Sequence, residues 1–456
     1  MTEATGPIEV EVKATSGSVT RGGGHFLRDV TLLGTVALCV GNMVGTSIYT
    51  LPASLAATTG PLGVVSWVVT AAGYALVAVV YASLGVRYPR CGGPYVFARE
   101  AFGDVAGFAT VWSYWVSAVV GNAAIVTSVI GYAVGFSPLL ASSPWRGFLL
   151  AQGLVWGLCW LNVRGVREST RLQTAIMLVT IVPLLTLSLL ALGTFDAANL
   201  VPFAPKGYGS IAAGAALVVW AYAGIESATV AAEEVRDPRR TIGRGTMIGY
   251  GLATVVFLLI AFAVAGALPN ADIAASARPL ALVMERTVGP WAATLIGVGA
   301  IVSGVGTLNG WTLMAGRIPV SAARDGLFFP AMARLHPRHG TPHVALIVGS
   351  AVTSVMLTLY FTRSLLGVFT FIALFAVLTT LVPHLLAMAA EVALARRDPS
   401  RYTAGERRRA MVVAPLAFLF VLYTIYGVGL EVALWGLAAM AAGIPLYVGL
   451  RVAGRG

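Results

Sequence analysis

Residues 41–47 read Gly41-Asn42-Met43-Val44-Gly45-Thr46-Ser47, and they fall in the middle of an apolar segment that runs from 31 to 57. Glycine is about 1 kcal/mol worse than alanine in a helix. Two glycines four positions apart, with Asn42, Thr46 and Ser47 among them, mark where this segment is expected to unwind. A second apolar segment, 209–232, carries Trp220-Ala221-Tyr222-Ala223-Gly224-Ile225-Glu226-Ser227, again glycine beside polar groups at mid-segment. Unpartnered backbone is costly in hydrocarbon, so an unwound stretch there must line a cavity or lie buried in protein. An interrupted helix offers N–H groups and a positive dipole end to an anion, and carbonyls to a cation. Two such breaks suit an α-amino acid, or any solute with an amine. Gly41-xxx-Gly45 alone would serve close helix packing equally well. The polar residues and the matching second break favour a site.

Around these two segments the whole chain looks alike. It is 57% hydrophobic and 11% charged, against about 25% charged in soluble domains. About 20 apolar residues cross a bilayer. The expectation is an all-α integral membrane protein with twelve transmembrane helices near 31–57, 62–86, 104–136, 145–163, 172–195, 209–232, 243–267, 289–316, 342–361, 365–390, 411–428 and 431–450. Residues 1–27 are polar and rich in Gly, Ser and Thr, and read as a disordered cytoplasmic tail. They lack the apolar core of a signal peptide.

Orientation follows from the arginines. With the N-terminus inside, 25 Lys and Arg fall in cytoplasmic segments and 5 on the other side. The positive-inside rule then places both termini in the cytoplasm of a multi-pass protein of the cytoplasmic (plasma) membrane. The same asymmetry accounts for the net charge of +11, with no nucleic-acid partner required. Cys39 and Cys159 lie within spans and Cys91 in a loop, so no disulfide framework is expected.

Breaks in the first and sixth spans imply a five-plus-five inverted repeat, with the site between the halves. The first repeat would be 28–195 and the second 209–391. Residues 410–456, holding spans eleven and twelve and a short cytoplasmic tail, stand outside it. Val182-Pro183 in span five and Val382-Pro383 in span ten are a fainter echo.

Further motifs occur in a fixed order. Cys91-Gly92-Gly93-Pro94-Tyr95 precedes span three, and Tyr114 and Val120-Gly121-Asn122 lie within it. Ala231-Ala232-Glu233-Glu234-Val235-Arg236-Asp237-Pro238 leaves span six. Asn309-Gly310-Trp311-Thr312 lies in span eight, and Arg324-Asp325-Gly326-Leu327-Phe328 follows it. Taken with the two broken spans, these resemble the amino acid/polyamine/organocation (APC) superfamily over about 26–395. The resemblance is strongest to the basic amino acid/polyamine antiporters, especially the arginine/agmatine exchangers. It implies a LeuT-like five-plus-five inverted repeat. It also implies amides around Met43, Thr46 and Ser47 for a substrate carboxylate, with Asn42 and Gly45 beside the substrate. Carbonyls around Trp220 and Ala223 would take an α-amine, with Gly224 beside them. Trp220 would gate, Trp311 would stack on a cationic end, and Asn122 would touch the substrate. Tyr95 and Tyr114 would contribute to gates, and Glu226 would be a proton-sensitive gating carboxylate. Ser47 stands where those antiporters usually have Gly. Ala373-Leu374-Phe375 stands where the arginine exchangers have small hydroxyl residues, which would suit lysine, ornithine, a diamine or a neutral substrate at least as well as arginine.

Read singly, Glu226 is the acidic residue placed deepest in a span, where an ionisable group costs about 2.5–3.5 kcal/mol on insertion scales. Its alternative role is a neutral acid hydrogen-bonded to a neighbouring helix. His336, His339 and His343 read as solvated loop residues rather than a metal site. No P-loop is present to couple ATP, no cofactor is implied, and no clustered acid–base or nucleophilic set points to an enzyme. The expected function is exchange of a cationic amino acid or polyamine by alternating access. Proton-coupled uptake of neutral amino acids and a transport-deficient amino acid sensor are the alternatives, and a homodimer is left open.

Overall fold

The computed structural model describes residues 30–358 and 365–453, without the side chains of 166–173, 187, 365, 366 and 453. The predicted tail at 1–27 lies outside the described residues. Regular structure among the described residues is helical, apart from one bridge between Val30 and Val235. In chain order the α-helices are α1 (Leu32–Met43), α2 (Thr46–Thr59), α3 (Gly63–Arg87), α4 (Pro94–Phe102), α5 (Asp104–Val134) and α6 (Pro138–Ala141). They continue with α7 (Pro144–Arg164), α8 (Val166–Leu192), α9 (Ser210–Tyr222), α10 (Ser227–Val230), α11 (Pro238–Ala267) and α12 (Asn270–Ala275). The last six are α13 (Pro279–Thr287), α14 (Pro290–Arg324), α15 (His343–Met356), α16 (Leu365–Arg397), α17 (Ala404–Gly427) and α18 (Leu430–Ala453).

Local sequence explains most of the helix starts. Pro94, Pro144, Pro238, Pro279 and Pro290 each open a helix, where the missing N–H is no loss and φ is already helical. Thr31 caps α1 through its hydroxyl. Thr403 and Glu406 form a reciprocal capping box at α17.

Among the described residues, eight helical stretches are long and apolar enough to cross a membrane, the first of them running without a long interruption from Leu32 to Arg87. This is a multi-pass membrane protein. Their faces divide into two kinds. The apolar window of α5 is 83% buried, whereas that of α18 is 17% buried. So α5 is central, packed on α14 and α16, and α18 is peripheral.

Both expected breaks are present. α1 stops at Met43, Val44 and Gly45 leave helical geometry, and α2 begins at Thr46. A Cβ on Gly45 would stand 2.1 Å from the Thr307 hydroxyl oxygen of α14, so close approach of that helix requires glycine. α9 stops at Tyr222, Ala223 is extended, and Gly224 has φ +109°, a region glycine enters without strain.

One expectation about loops is corrected. His336, His339 and His343 are half-buried and packed together, with ring centroids 4.7 and 5.4 Å from His336. The turn that bonds the His336 amide to the Thr341 carbonyl folds them inward rather than leaving them in solvent.

Candidate functional site

The two breaks touch. A Cβ on Gly224 would lie 2.6 Å from the Asn42 Cβ, and Asn42 Nδ2 donates to Ser227 Oγ at 2.8 Å. The chain around them is tied as well. The Val30 amide donates to the Glu234 carbonyl and the Arg236 amide to the Val30 carbonyl, so the start of the first broken segment pairs with the exit of the second.

At the first break, α14 supplies the donors. Ser303 Oγ donates to the Val44 carbonyl (3.1 Å), Thr307 Oγ1 to the Gly41 carbonyl (3.0 Å), and Trp311 Nε1 to the Asn42 carbonyl (3.3 Å). These three residues recur every four positions, one face of a helix. Ser47 Oγ takes the Met43 carbonyl at 3.1 Å. The carbonyls of the break are thereby occupied, while the first amides of α2 have no preceding helical turn to accept them. What remains for a ligand is a helix N-terminus.

At the second break the bookkeeping is reversed. The Gly224 amide turns to Glu226 Oε2 at 3.3 Å, and the Ile225 amide bonds back to the Tyr222 carbonyl. The Ser227 amide goes to the Gly224 carbonyl. The carbonyls of Trp220 and Ala223 thus lose the donors that a continuous helix would have given them. Tyr114 Oη donates to Glu226 Oε1 at 2.6 Å and holds the carboxylate. The Tyr114 ring meets Trp311 edge-on.

Asn42, Met43, Gly45, Thr46, Ser47, Trp220, Ala223 and Trp311 line one cavity, joined by Ile125 and Thr307. Asn42 Oδ1 is buried there with no hydrogen-bond partner among the described residues, an acceptor suited to a cation. The cavity measures about 10 Å³, room for roughly one water. Trp220 and Trp311 are 9% and 6% exposed, so both indoles of the lining are buried.

Not every expected residue reaches it. Gly224 packs behind the lining on Asn42. Asn122 sits one turn before Ile125, outside the lining, with its Oδ1 buried and unpartnered among the described residues. The apolar stretch on α16 also falls elsewhere. Phe375 lines a separate pocket with Val120, Met356, Val368, Phe371, Ile372 and Trp435. Sequence reasoning missed Ile125 and Thr307. The four-residue spacing of Ser303, Thr307 and Trp311 was the available signal for the latter.

The profile of the amino acid permease family matches residues 30–444. The chain belongs to the amino acid permease family. It is 29% identical over 431 residues to an arginine/ornithine antiporter of Pseudomonas aeruginosa, covering 90% of this chain and 88% of that one. It is 28% identical over 418 residues to the putrescine transporter PotE of Haemophilus influenzae, covering 89% and 93%. It is 29% identical over 367 residues to a cadaverine/lysine antiporter of Escherichia coli K12, covering 78% and 82%.

Tyr95 belongs to another part of the permease. Its hydroxyl donates to Asp325 Oδ2 at 2.8 Å, and Arg99 pairs with the same carboxylate at 2.6 Å. Burial and the Asp325 carboxylate push the Tyr95 phenol up from its usual range. Beside it, Arg317 and Glu234 form an ion pair buried to 2% and 1% exposure. Burial pushes the Glu234 carboxyl up while the Arg317 guanidinium pulls against it. The Gly92 amide donates to the Val230 carbonyl and Ser321 Oγ to the Cys91 carbonyl. The loop before α4, the exit of the second break and the end of α14 are thereby sewn together, which shuts this arginine-rich end.

Proposed function

We propose that the permease exchanges a cationic amino acid for a related amino acid or diamine across the cytoplasmic membrane. It would cross the bilayer twelve times with both termini inside, and its two five-span repeats would rock about the breaks. Amides of Thr46 and Ser47 would take the carboxylate. Carbonyls of Trp220 and Ala223, with Asn42 Oδ1, would take the amine. The Trp311 ring would face the cationic end, with Trp220 as the gate on the other side and Asn122 reached as the cavity widens. Glu226 would couple protonation to the second break through the Gly224 amide, and Tyr114 and Tyr95 would act in gating.

One observation carries this reading: two breaks of opposite polarity face a single cavity. A cavity of about 10 Å³ is too small for an amino acid, which supports a closed intermediate in an alternating-access cycle. The named activities of the relatives support the substrate class.

A second reading, proton-coupled uptake of a neutral amino acid, draws on the absence of a carboxylate in the described lining. Counterflow separates the readings. Vesicles preloaded with lysine, ornithine, arginine, a diamine or alanine are expected to accumulate labelled cationic substrate only against cationic cargo. Accumulation with alanine alone would favour neutral uptake. No flux under any gradient would favour a sensor.

A further inference from the structure

At the end of the bundle away from Arg317 lies a second, larger cavity of about 350 Å³. Its lining includes Gly135, Phe136, Ser276, Arg278, Glu285 and Thr294. It is joined to the central cavity by a seam between α5 and α14. On α5, Ile125, Val129 and Tyr132 recur at helical spacing along one face, and Phe136 follows in the turn beyond the helix. On α14, Thr307, Gly304, Gly297 and Ala293 do the same. The faces meet closely: a Cβ on Gly304 would stand 2.3 Å from Val129, and one on Gly297 would stand 2.4 Å from Phe136. Ile125 and Thr307 line the inner cavity, and Phe136 and Ala293 the outer one. Ten residues of α5 separate Ile125 from Gly135, on the order of 15 Å. Between the cavities, Tyr132 Oη donates to the Tyr49 carbonyl at 2.7 Å and the two rings meet edge-on.

The outer cavity is lined by one guanidinium, Arg278, and one carboxylate, Glu285. The Arg278 guanidinium lies against Gly135, where an added Cβ would be 2.1 Å from Nη1. That is the C-terminal end of α5, the negative end of its dipole. Arg278 is the N-cap of α13 and Glu285 lies seven positions on, within that helix, and both line the cavity. Both charges are exposed, and no ion pair joins either of them among the described residues.

We propose that this outer cavity is a first docking site for a cationic amino acid, Arg278 receiving its carboxylate and Glu285 its side-chain cation. The inference rests on the proposed transport of cationic amino acids. A diamine has no carboxylate, so it would use Glu285 alone.

The test is exchange by purified permease in vesicles, with L-arginine or putrescine supplied on the face of the outer cavity. Arg278→Gln should raise KM for arginine about two- to five-fold, the scale of an exposed charge pair, and leave putrescine unchanged. Glu285→Gln should raise KM for both, and kcat should hold in each. Gly135→Ala keeps every charge and suits the αR backbone there, yet displaces the guanidinium, so it should copy Arg278→Gln. Added salt should shrink all three effects. An unmoved arginine KM, an equal rise for putrescine in Arg278→Gln, or a fall in kcat alone would overturn the outer site. Equilibrium dialysis with labelled arginine reads it without transport. Two arginines per chain should fall to one in Arg278→Gln/Glu285→Gln, and a count below two in the unmodified chain overturns it. Absence of all exchange by the unmodified chain would instead remove the proposed function.

Discussion

The two breaks look alike in sequence and behave oppositely. Each is a glycine among polar residues in the middle of an apolar segment. At the first, α14 occupies the carbonyls through Ser303, Thr307 and Trp311, and the α2 amides are left without helical acceptors. At the second, Glu226 occupies the Gly224 amide, and the Trp220 and Ala223 carbonyls are left without helical donors. Polarity is therefore set by which backbone partner the surrounding helices consume. A hydrogen bond that supports the break also decides which backbone groups it leaves exposed.

The largest effect is expected from Gly224→Ala, which strains a φ of +109° and drives a Cβ to 2.6 Å from Asn42. Exchange should fall to background while the protein still inserts. A variant with normal rates would show that the breaks do not depend on their contact. Glu226→Gln comes next. The amide oxygen still accepts from Gly224, but the proton-binding group is gone, so the pH profile of exchange should flatten. An unchanged profile would remove Glu226 from coupling and leave it a structural acceptor. Thr307→Val should be smaller. It leaves the Gly41 carbonyl unpaired in a dry site, about 1–3 kcal/mol, and makes the first break resemble the second. Carboxylate-bearing substrates should weaken more than diamines in a KM comparison, and equal weakening would deny the first break its anion role. Trp311→Ala should weaken a cationic substrate more than a neutral one, by about 0.5–2 kcal/mol. Equal losses in competition assays would leave Trp311 as packing only.

Much of this architecture was legible from residues. Long apolar runs, helix-opening prolines and glycines amid polar residues are local signals, and the helices and both breaks fall where those signals stand. Eight of the expected lining residues meet in one cavity. Asn122 and the α16 stretch do not, because helical register was read without the rotation of each helix about its axis. Thr307 escaped notice because a hydroxyl in an apolar helix usually bonds back to its own turn. Thr307 Oγ1 does so, to the Ser303 carbonyl, while also reaching Gly41. The histidine cluster was misjudged because a polar loop gives no sign of folding on itself.

The sequence alone determined that this chain lives in a bilayer, where its backbone is interrupted, and that its basic residues gather outside the apolar runs. Those are properties of side-chain size, hydropathy and charge taken a few residues at a time. Only the tertiary structure decided which interruption leaves amides and which leaves carbonyls without helical partners, and that an outer cavity lined by Arg278 and Glu285 stands at the end of the α5–α14 seam. Hydrogen-bond partners are a scarce resource in a dry interior. The partner of Gly41 is Thr307, distant in the chain, so no local pattern could say which group would be left free.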